Sequence, residues 1–174
     1  MNEPIIFLDF DGVLSTEHYA TQCQLQGIAY ADSYGALFDP QAVRNLGIIV
    51  QTTHASIVAI TSWRQQGLDY LRRWWHHRHM PGALIDMVPT HVAYTDLALH
   101  HLEHLSSSPQ LAKGTCIALY LAENYPGQQP PYVILDDQPV VHPHQQSHYV
   151  AVCEHSGLTY ADALRAIEIL SAKP

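Results

Sequence analysis

Three short apolar runs, each followed directly by acidic or hydroxyl residues, constrain the fold of this chain more than any other feature. The runs cover residues 5–8, 57–60 and 132–135. Apolar runs without polar alternation are typical of strands that are covered on both faces in a parallel sheet. The pattern therefore predicts an α/β fold built on a central parallel sheet.

The segments between these runs favour helices and two further strands. An N-cap Asp39 followed by Pro40 predicts a helix that ends near residue 53. Other predicted helices cover residues 67–79, 95–105, 115–124 and 159–171, and further strands cover 83–88 and 149–153. Alternating strands and helices predict a three-layer, Rossmann-like arrangement with a mostly parallel sheet.

Length and composition limit the domain organisation and the partners. The 174 residues fit a single domain over residues 1–174, with a small flap within about 15–37 as a minimal cap. Eight Lys and Arg against sixteen Asp and Glu leave a formal charge of −8, so we expect no extended nucleic-acid surface. No apolar run approaches the roughly 20 residues of a membrane span, and three scattered cysteines favour a cytoplasmic protein that does not act at membranes.

Polar residues follow each of the three apolar runs. In an open parallel sheet, ligands bind beyond the carboxyl ends of the strands, so we expect these side chains to share one cleft. They are Asp9, Asp11, Thr61, Ser62, Asp136 and Asp137.

Neighbouring carboxylates in one cleft predict a metal site and phosphoryl-transfer chemistry. Unpaired carboxylates repel one another, and Mg²⁺, which prefers oxygen ligands, removes that conflict. In such a site Asp9 can attack phosphorus, and Asp11 can protonate the leaving oxygen and then activate water. Thr61 and Lys113 supply a hydroxyl and an ammonium for the phosphoryl oxygens.

The run Asp9-Phe10-Asp11-Gly12-Val13-Leu14 resembles the first signature of the haloacid dehalogenase (HAD) superfamily. Thr61, Lys113 and the Asp136-Asp137 pair follow in the order of its second, third and fourth signatures, so the resemblance covers residues 5–137. It implies an HAD fold and a Mg²⁺-dependent hydrolase.

The resemblance also implies a role for each matched residue. Asp9 is the nucleophile and a metal ligand, and Asp11 is the general acid and base, with its backbone carbonyl on the metal. Lys113 steadies Asp9 and the phosphate. Asp136 completes the Mg²⁺ site, and Asp137 acts there through water. Thr61 binds the phosphate, with Ser62 as the alternative hydroxyl.

The second aspartate narrows the implied reaction, because family dehalogenases lack an acid at this position. Asp11 therefore favours phosphomonoester hydrolysis through an aspartyl-phosphate. The run Ile60-Thr61-Ser62-Trp63-Arg64 is further similar to the HAD domain of Swiss Army Knife RNA-repair proteins, which implies an end-healing phosphatase. Arg64 would then bind a second phosphate or a nucleotide. The expected substrate is a nucleotide or nucleic-acid terminal phosphate, with a small phosphorylated metabolite as the alternative.

Two other functions are compatible with the sequence. A non-catalytic binding or regulatory domain would keep the fold without turnover. A zinc hydrolase would use the histidines, because His100 and His104 have the i, i+4 spacing that places both on one face of a helix.

Overall fold

The computed structural model describes residues 3–107 and 111–172, and these contain a five-stranded sheet. Its strands are β1 (Ile5–Leu8), β4 (Ser56–Ala59), β5 (Leu84–Met87), β6 (Tyr132–Asp136) and β7 (Tyr149–Ala151). Their order is β5-β4-β1-β6-β7, and every neighbouring pair is parallel. The central strand β1 therefore lies between β4 and β6. The candidate functional residues lie at or just beyond the carboxyl ends of these three strands.

Helices cover both faces of this sheet, so the molecule has three layers. They are α1 (Glu17–Gln26), α2 (Pro40–Thr53), α3 (Leu68–His77), α4 (Tyr94–Leu99), α5 (Ala112–Asn124) and α6 (Tyr160–Ser171). Ile6 and Leu8 belong to the apolar core that α2, α3 and α6 cover, whereas Ile5 and Phe7 belong to the core under α5. Successive residues of a strand point to opposite faces, and both faces are buried, which explains the unbroken apolar run.

The observed architecture confirms the predicted three-layer α/β fold with its parallel sheet. The helix predicted from Asp39 is also confirmed, because the Asp39 carboxylate accepts a hydrogen bond from the Gln41 amide at 2.7 Å and the helix ends at Thr53. Among the described residues, no helix has the length and apolar character needed to cross a membrane.

The segment predicted as a small flap contains a helix and a hairpin. Helix α1 begins after Thr16, whose hydroxyl accepts from the Tyr19 amide, and it ends at Gly27 in the left-handed conformation. Strands β2 (Ala31–Asp32) and β3 (Gly35–Ala36) form an antiparallel pair. Only Cys23 of α1 is buried, so this helix has no apolar periodicity that a sequence analysis can detect.

The single helix predicted over residues 95–105 is wrong, and with it the basis of the zinc hypothesis. Helix α4 ends at Leu99, and a separate 3₁₀ helix covers Glu103–Ser107. His101 between them has a φ of 58°, which breaks the helical path. His100 and His104 therefore do not share one helical face, although their spacing in the sequence is four residues.

Candidate active site

Two buried aspartates lie side by side at the carboxyl edge of the sheet. Asp9 directly follows β1, and Asp136 is the last residue of β6, whose register pairs Leu8 with Leu135. Asp9 is 5% exposed and Asp136 is fully buried. Backbone amides hold one oxygen of each carboxylate, from Phe10 at 2.9 Å and from Gln138 at 3.0 Å respectively.

Lys113 lies between these two aspartates and bridges them. Its Nζ is 2.5 Å from Asp9 Oδ2 and 2.7 Å from Asp136 Oδ2. Helix α5 begins at Ala112 rather than at the predicted residue 115, so Lys113 is in its first turn. A cation is unfavourable at the positive end of a helix, and the two carboxylates offset that cost here.

Burial and mutual charge shift the pKa values of this triad. Burial raises the pKa of Asp136 to about 6, and the charge of Asp9 adds to that effect while Lys113 opposes it. Burial likewise raises the pKa of Asp9 despite its contact with Lys113. Burial alone would lower the pKa of Lys113, but the two carboxylates outweigh it and leave that pKa above its ordinary value. The lysine therefore stays protonated between two carboxyl groups that resist ionisation in the absence of a metal.

In the turn after β1, one core residue lies between two acidic residues of the site. Phe10 is fully buried and stacks on Trp74 with ring centroids 5.2 Å apart, whereas Asp11 is exposed on the cleft. Gly12 has a φ of +76°, and a Cβ on it would lie 2.6 Å from Asp137 Cγ. Only glycine fits this position without displacing Asp137, so the turn holds the two loops of the site together.

Asp9, Asp136 and Asp137 form a group with the geometry of a metal site. Each offers one carboxylate oxygen, and these oxygens lie within 4.8 Å of one another. Within residues 3–107 and 111–172, no other group of three or more His, Cys, Asp or Glu side chains is gathered this closely. Hard oxygen donors around a small space fit Mg²⁺.

The two candidate hydroxyls beyond β4 occupy different positions. Thr61 is fully buried, and its Oγ1 accepts a hydrogen bond from the Trp63 amide at 3.3 Å at the start of the 3₁₀ helix Ser62–Gln66. Ser62 is exposed and lines the cleft. Ser62 and Asp9 therefore both line the cleft, whereas the Thr61 side chain is buried at the same strand end.

Arg64 lies apart from the acidic cleft. Its Nη1 donates to the backbone carbonyls of Ile60 at 2.7 Å and Thr61 at 2.6 Å. The side chain lines a different cavity of about 390 Å³, between α5 and the 3₁₀ helix Glu103–Ser107. A contact of Arg64 with a second phosphate stays a prediction, and the structure places its guanidinium where it fixes the backbone around Thr61.

Several residues of the cleft were not identified from the sequence. The cleft has a volume of about 400 Å³, and its wall includes Ser15, Glu17, Gln138 and Glu154. Trp63 donates its indole N–H to Asp11 Oδ2 at 2.9 Å. Ser15 Oγ donates to the other Asp11 oxygen at 3.0 Å.

A buried polar cluster holds the start of α5 in place. Gln145 Nε2 donates to the Gly114 carbonyl at 2.9 Å, and the Gly114 amide donates to the Val140 carbonyl at 3.0 Å. A Cβ on Gly114 would lie 2.6 Å from Gln145 Oε1. These contacts tie the residue beside Lys113 to the loop that follows β6, so they fix the lysine relative to Asp136.

The fold and the order of the four motif residues along it define a HAD-like domain. A comparison with protein families matches residues 5–163 to the HAD domain in Swiss Army Knife RNA repair proteins. The match spans most of the chain, and the chain belongs to this family. Membership points to a hydrolase of the HAD type. No curated protein and no solved structure matched the chain in the corresponding comparisons.

Proposed function

We propose that the chain is a Mg²⁺-dependent phosphomonoester hydrolase that forms a phosphoryl-enzyme intermediate on Asp9. The main support is the bridge from Lys113 to both Asp9 and Asp136, with Asp11 beside them on the cleft. A nucleophile, a general acid and a cation within one cleft are the groups that this reaction needs.

The metal would be held by the carboxylates of Asp9, Asp136 and Asp137 and by the Asp11 carbonyl. A bound Mg²⁺ neutralises charge on the transferring phosphoryl group. Lys113 adds a fixed positive charge on the Asp9 side of the site and keeps that carboxylate in place for attack. The hydroxyls of Ser62 and Thr61 are the proposed phosphate-binding groups.

The reaction has two balanced steps. In the first, an Asp9 carboxylate oxygen forms a bond to phosphorus, the ester P–O bond breaks, and the Asp11 carboxyl gives its proton to the leaving oxygen. In the second, Asp11 takes a proton from water, the water oxygen bonds to phosphorus, and the Asp9–phosphorus bond breaks. Inorganic phosphate leaves, and Asp9 and Asp11 return to their starting states.

The proposed substrate is a nucleotide or nucleic-acid terminal phosphate. The description of the family as RNA-repair domains supports it. The net charge of −8 and the acidic residues Glu17 and Glu154 on the cleft wall favour contact with a terminal group over a long strand. A small phosphorylated metabolite is the alternative, because a cleft of about 400 Å³ accommodates a ligand of that size.

The test is hydrolysis of p-nitrophenyl phosphate with and without Mg²⁺, by the wild type and by Asp9→Asn. We expect metal-dependent turnover that Asp9→Asn abolishes, and acid-quenched wild type should carry a hydroxylamine-sensitive phosphoryl label from a radiolabelled substrate. Asp69→Asn, an exposed aspartate in the first turn of α3, is the matched control and should keep full activity. Full turnover by Asp9→Asn would refute the nucleophile, and a folded wild type without turnover would favour a binding domain.

A panel of phosphomonoesters then addresses the substrate. It should contain oligonucleotides with 5′- or 3′-terminal phosphates, nucleoside monophosphates and sugar phosphates. The proposal expects the highest kcat/KM on nucleotide or oligonucleotide ends. A clear preference for a sugar phosphate would select the alternative substrate class.

A further inference from the structure

Trp63 makes a direct side-chain contact with Asp11, the proposed general acid. Its indole N–H donates to Asp11 Oδ2 at 2.9 Å, and Ser15 Oγ donates to Asp11 Oδ1 at 3.0 Å. Asp11 is otherwise an exposed side chain on the cleft wall. Its orientation therefore depends on these two neighbours.

The indole that makes this contact is itself rigidly held. Its ring packs edge-on against Phe10 at 6.0 Å and against Trp74 at 5.5 Å, and it lies 6.2 Å from Phe38. The Trp63 amide bonds to Thr61 Oγ1 at 3.3 Å. Because ring and backbone are both fixed, the direction of the N–H bond is fixed as well.

The hairpin of the flap closes the remaining side of the ring. A Cβ on Gly35 would lie 3.4 Å from Trp63 Cη2, so the hairpin is in close contact with the indole. Arg78 holds this hairpin, with bonds to Asp32 Oδ1 at 2.6 Å and to the Ala36 carbonyl at 2.7 Å. The indole cannot swing away from Asp11 unless the hairpin moves too.

We propose that Trp63 is a positioning residue that sets the orientation of the Asp11 carboxyl group; the inference rests on the proposed function. An indole N–H only donates, so it keeps Oδ2 as an acceptor, whereas the Ser15 hydroxyl can donate or accept. With Oδ2 held by the indole, the orientation of the carboxyl group is fixed for proton transfer from Asp11 to the leaving oxygen as the ester P–O bond breaks and Asp9 bonds to phosphorus.

This role predicts a dependence on the leaving group that loss of packing would not produce. An alkyl phosphate needs its leaving oxygen protonated, whereas p-nitrophenyl phosphate releases a stable phenolate and needs little help. Trp63→Phe keeps an aromatic ring and removes the N–H. We expect it to lower kcat/KM for an alkyl phosphate by about tenfold or more, within the range of general acid catalysis, and for p-nitrophenyl phosphate much less.

Two comparisons isolate the contact. Asp11→Asn should show the same selectivity, and adding Trp63→Phe to it should cause no further change. Trp75→Phe is the matched control, because Trp75 also packs on Phe10, at 5.9 Å, but donates its indole N–H to the Gly82 carbonyl. It should leave the ratio of the two kcat/KM values at the wild-type value.

Equal loss on both substrates in Trp63→Phe, or a further loss in the Asp11→Asn background, would overturn the proposal. If Trp63→Phe does not fold, the indole N–H signals of Asp11→Asn in a ¹H–¹⁵N spectrum provide the test. The Trp63 signal should shift and the Trp75 signal should not, and an unmoved Trp63 signal would overturn the proposal as well. Turnover by Asp9→Asn would refute the proposed function instead, so the two failures are distinguishable.

Discussion

Replacement of Lys113 by methionine tests whether the buried triad of Lys113, Asp9 and Asp136 carries the charge balance of the site. The side chains of Asp9 and Asp136 are 8% and 0% exposed, and the lysine is 19% exposed. Removing one partner of a buried ion pair costs about 3–5 kcal/mol because the remaining charge is left unpaired. Since the lysine keeps some contact with solvent, we expect a loss near the lower end, about 3 kcal/mol at neutral pH.

The loss should depend on pH in a defined direction. Without the lysine, the folded-state pKa values of both aspartates rise further above their ordinary value of 3.8. A carboxyl group whose pKa is raised by folding contributes stability at low pH and loses it as the pH rises through the folded-state pKa. The variant should therefore approach wild-type stability near pH 4 and fall increasingly below it from about pH 6 upward, given the wild-type value of about 6 for Asp136.

Both effects can be measured by urea unfolding of the metal-free proteins, followed by tryptophan fluorescence at about pH 4.5 and about pH 7.5, roughly on either side of the shifted pKa of Asp136. Arg165→Met is the matched control, because Arg165 pairs with Glu168 at 3.2 Å and both side chains are more than 60% exposed. It should change neither stability nor its pH dependence. A Lys113→Met loss below about 1 kcal/mol, typical of surface pairs, or one equal at both pH values would refute the reasoning.

Two further predictions concern the same site. Because metal-free Asp136 has a pKa of about 6, protons should compete with Mg²⁺ below that pH, and calorimetry should find binding about tenfold weaker at pH 5 than at pH 7; equal affinity would contradict this. Gly114→Ala should destabilise the protein by about 1–3 kcal/mol and lower turnover, since overpacking against Gln145 outweighs the roughly 1 kcal/mol that alanine adds to a helix. Thermal unfolding measures the stability, and p-nitrophenyl phosphate hydrolysis measures the turnover. A more stable, fully active variant would contradict this prediction, because it would show that Gln145 moves to make room for the added methyl group.

The sheet and the acidic pair at its edge were predictable because one pattern determines both. An apolar run that is buried on both faces identifies a central strand, and the first polar residue after it must lie at the carboxyl edge. Asp9 and Asp136 meet because β1 and β6 are neighbours in the sheet, which neither the lengths of the runs nor their order along the chain reveals.

The start of α5 was not predictable from local capping signals. Leu111 occupies the N-cap position and makes no side-chain hydrogen bond to the helix, so nothing in the sequence marks its beginning. The helix is fixed instead by Gln145 and Val140, about 30 residues further on, through their contacts with Gly114. Such contacts come from tertiary packing, and a single sequence does not display them.

The contact of Trp63 with Asp11 was missed for a related reason. An aromatic residue next to apolar neighbours is normally interpreted as packing, and Trp63 does pack on Phe10 and Trp74. Its N–H reaches the cleft only because Phe10 is directed into the core while Asp11, the next residue, is directed outward. The same alternation that separates core from cleft in this turn thus places an indole edge beside Asp11, the proposed general acid.

The charges around the cleft explain why a divalent cation is integral to the proposed chemistry. Five carboxylate side chains line the cleft, those of Asp9, Asp11, Asp137, Glu17 and Glu154. Among the described residues that line it, only Lys113 has a cationic side chain. That lysine is already engaged by two buried carboxylates. A phosphate dianion approaching such a surface meets net repulsion, and partial burial strengthens it because the effective dielectric is lower than in water. A metal held by Asp9, Asp136 and Asp137 would place two positive charges next to the phosphoryl group and oppose this repulsion, so the residues that would hold the ion are also those that would otherwise repel the substrate.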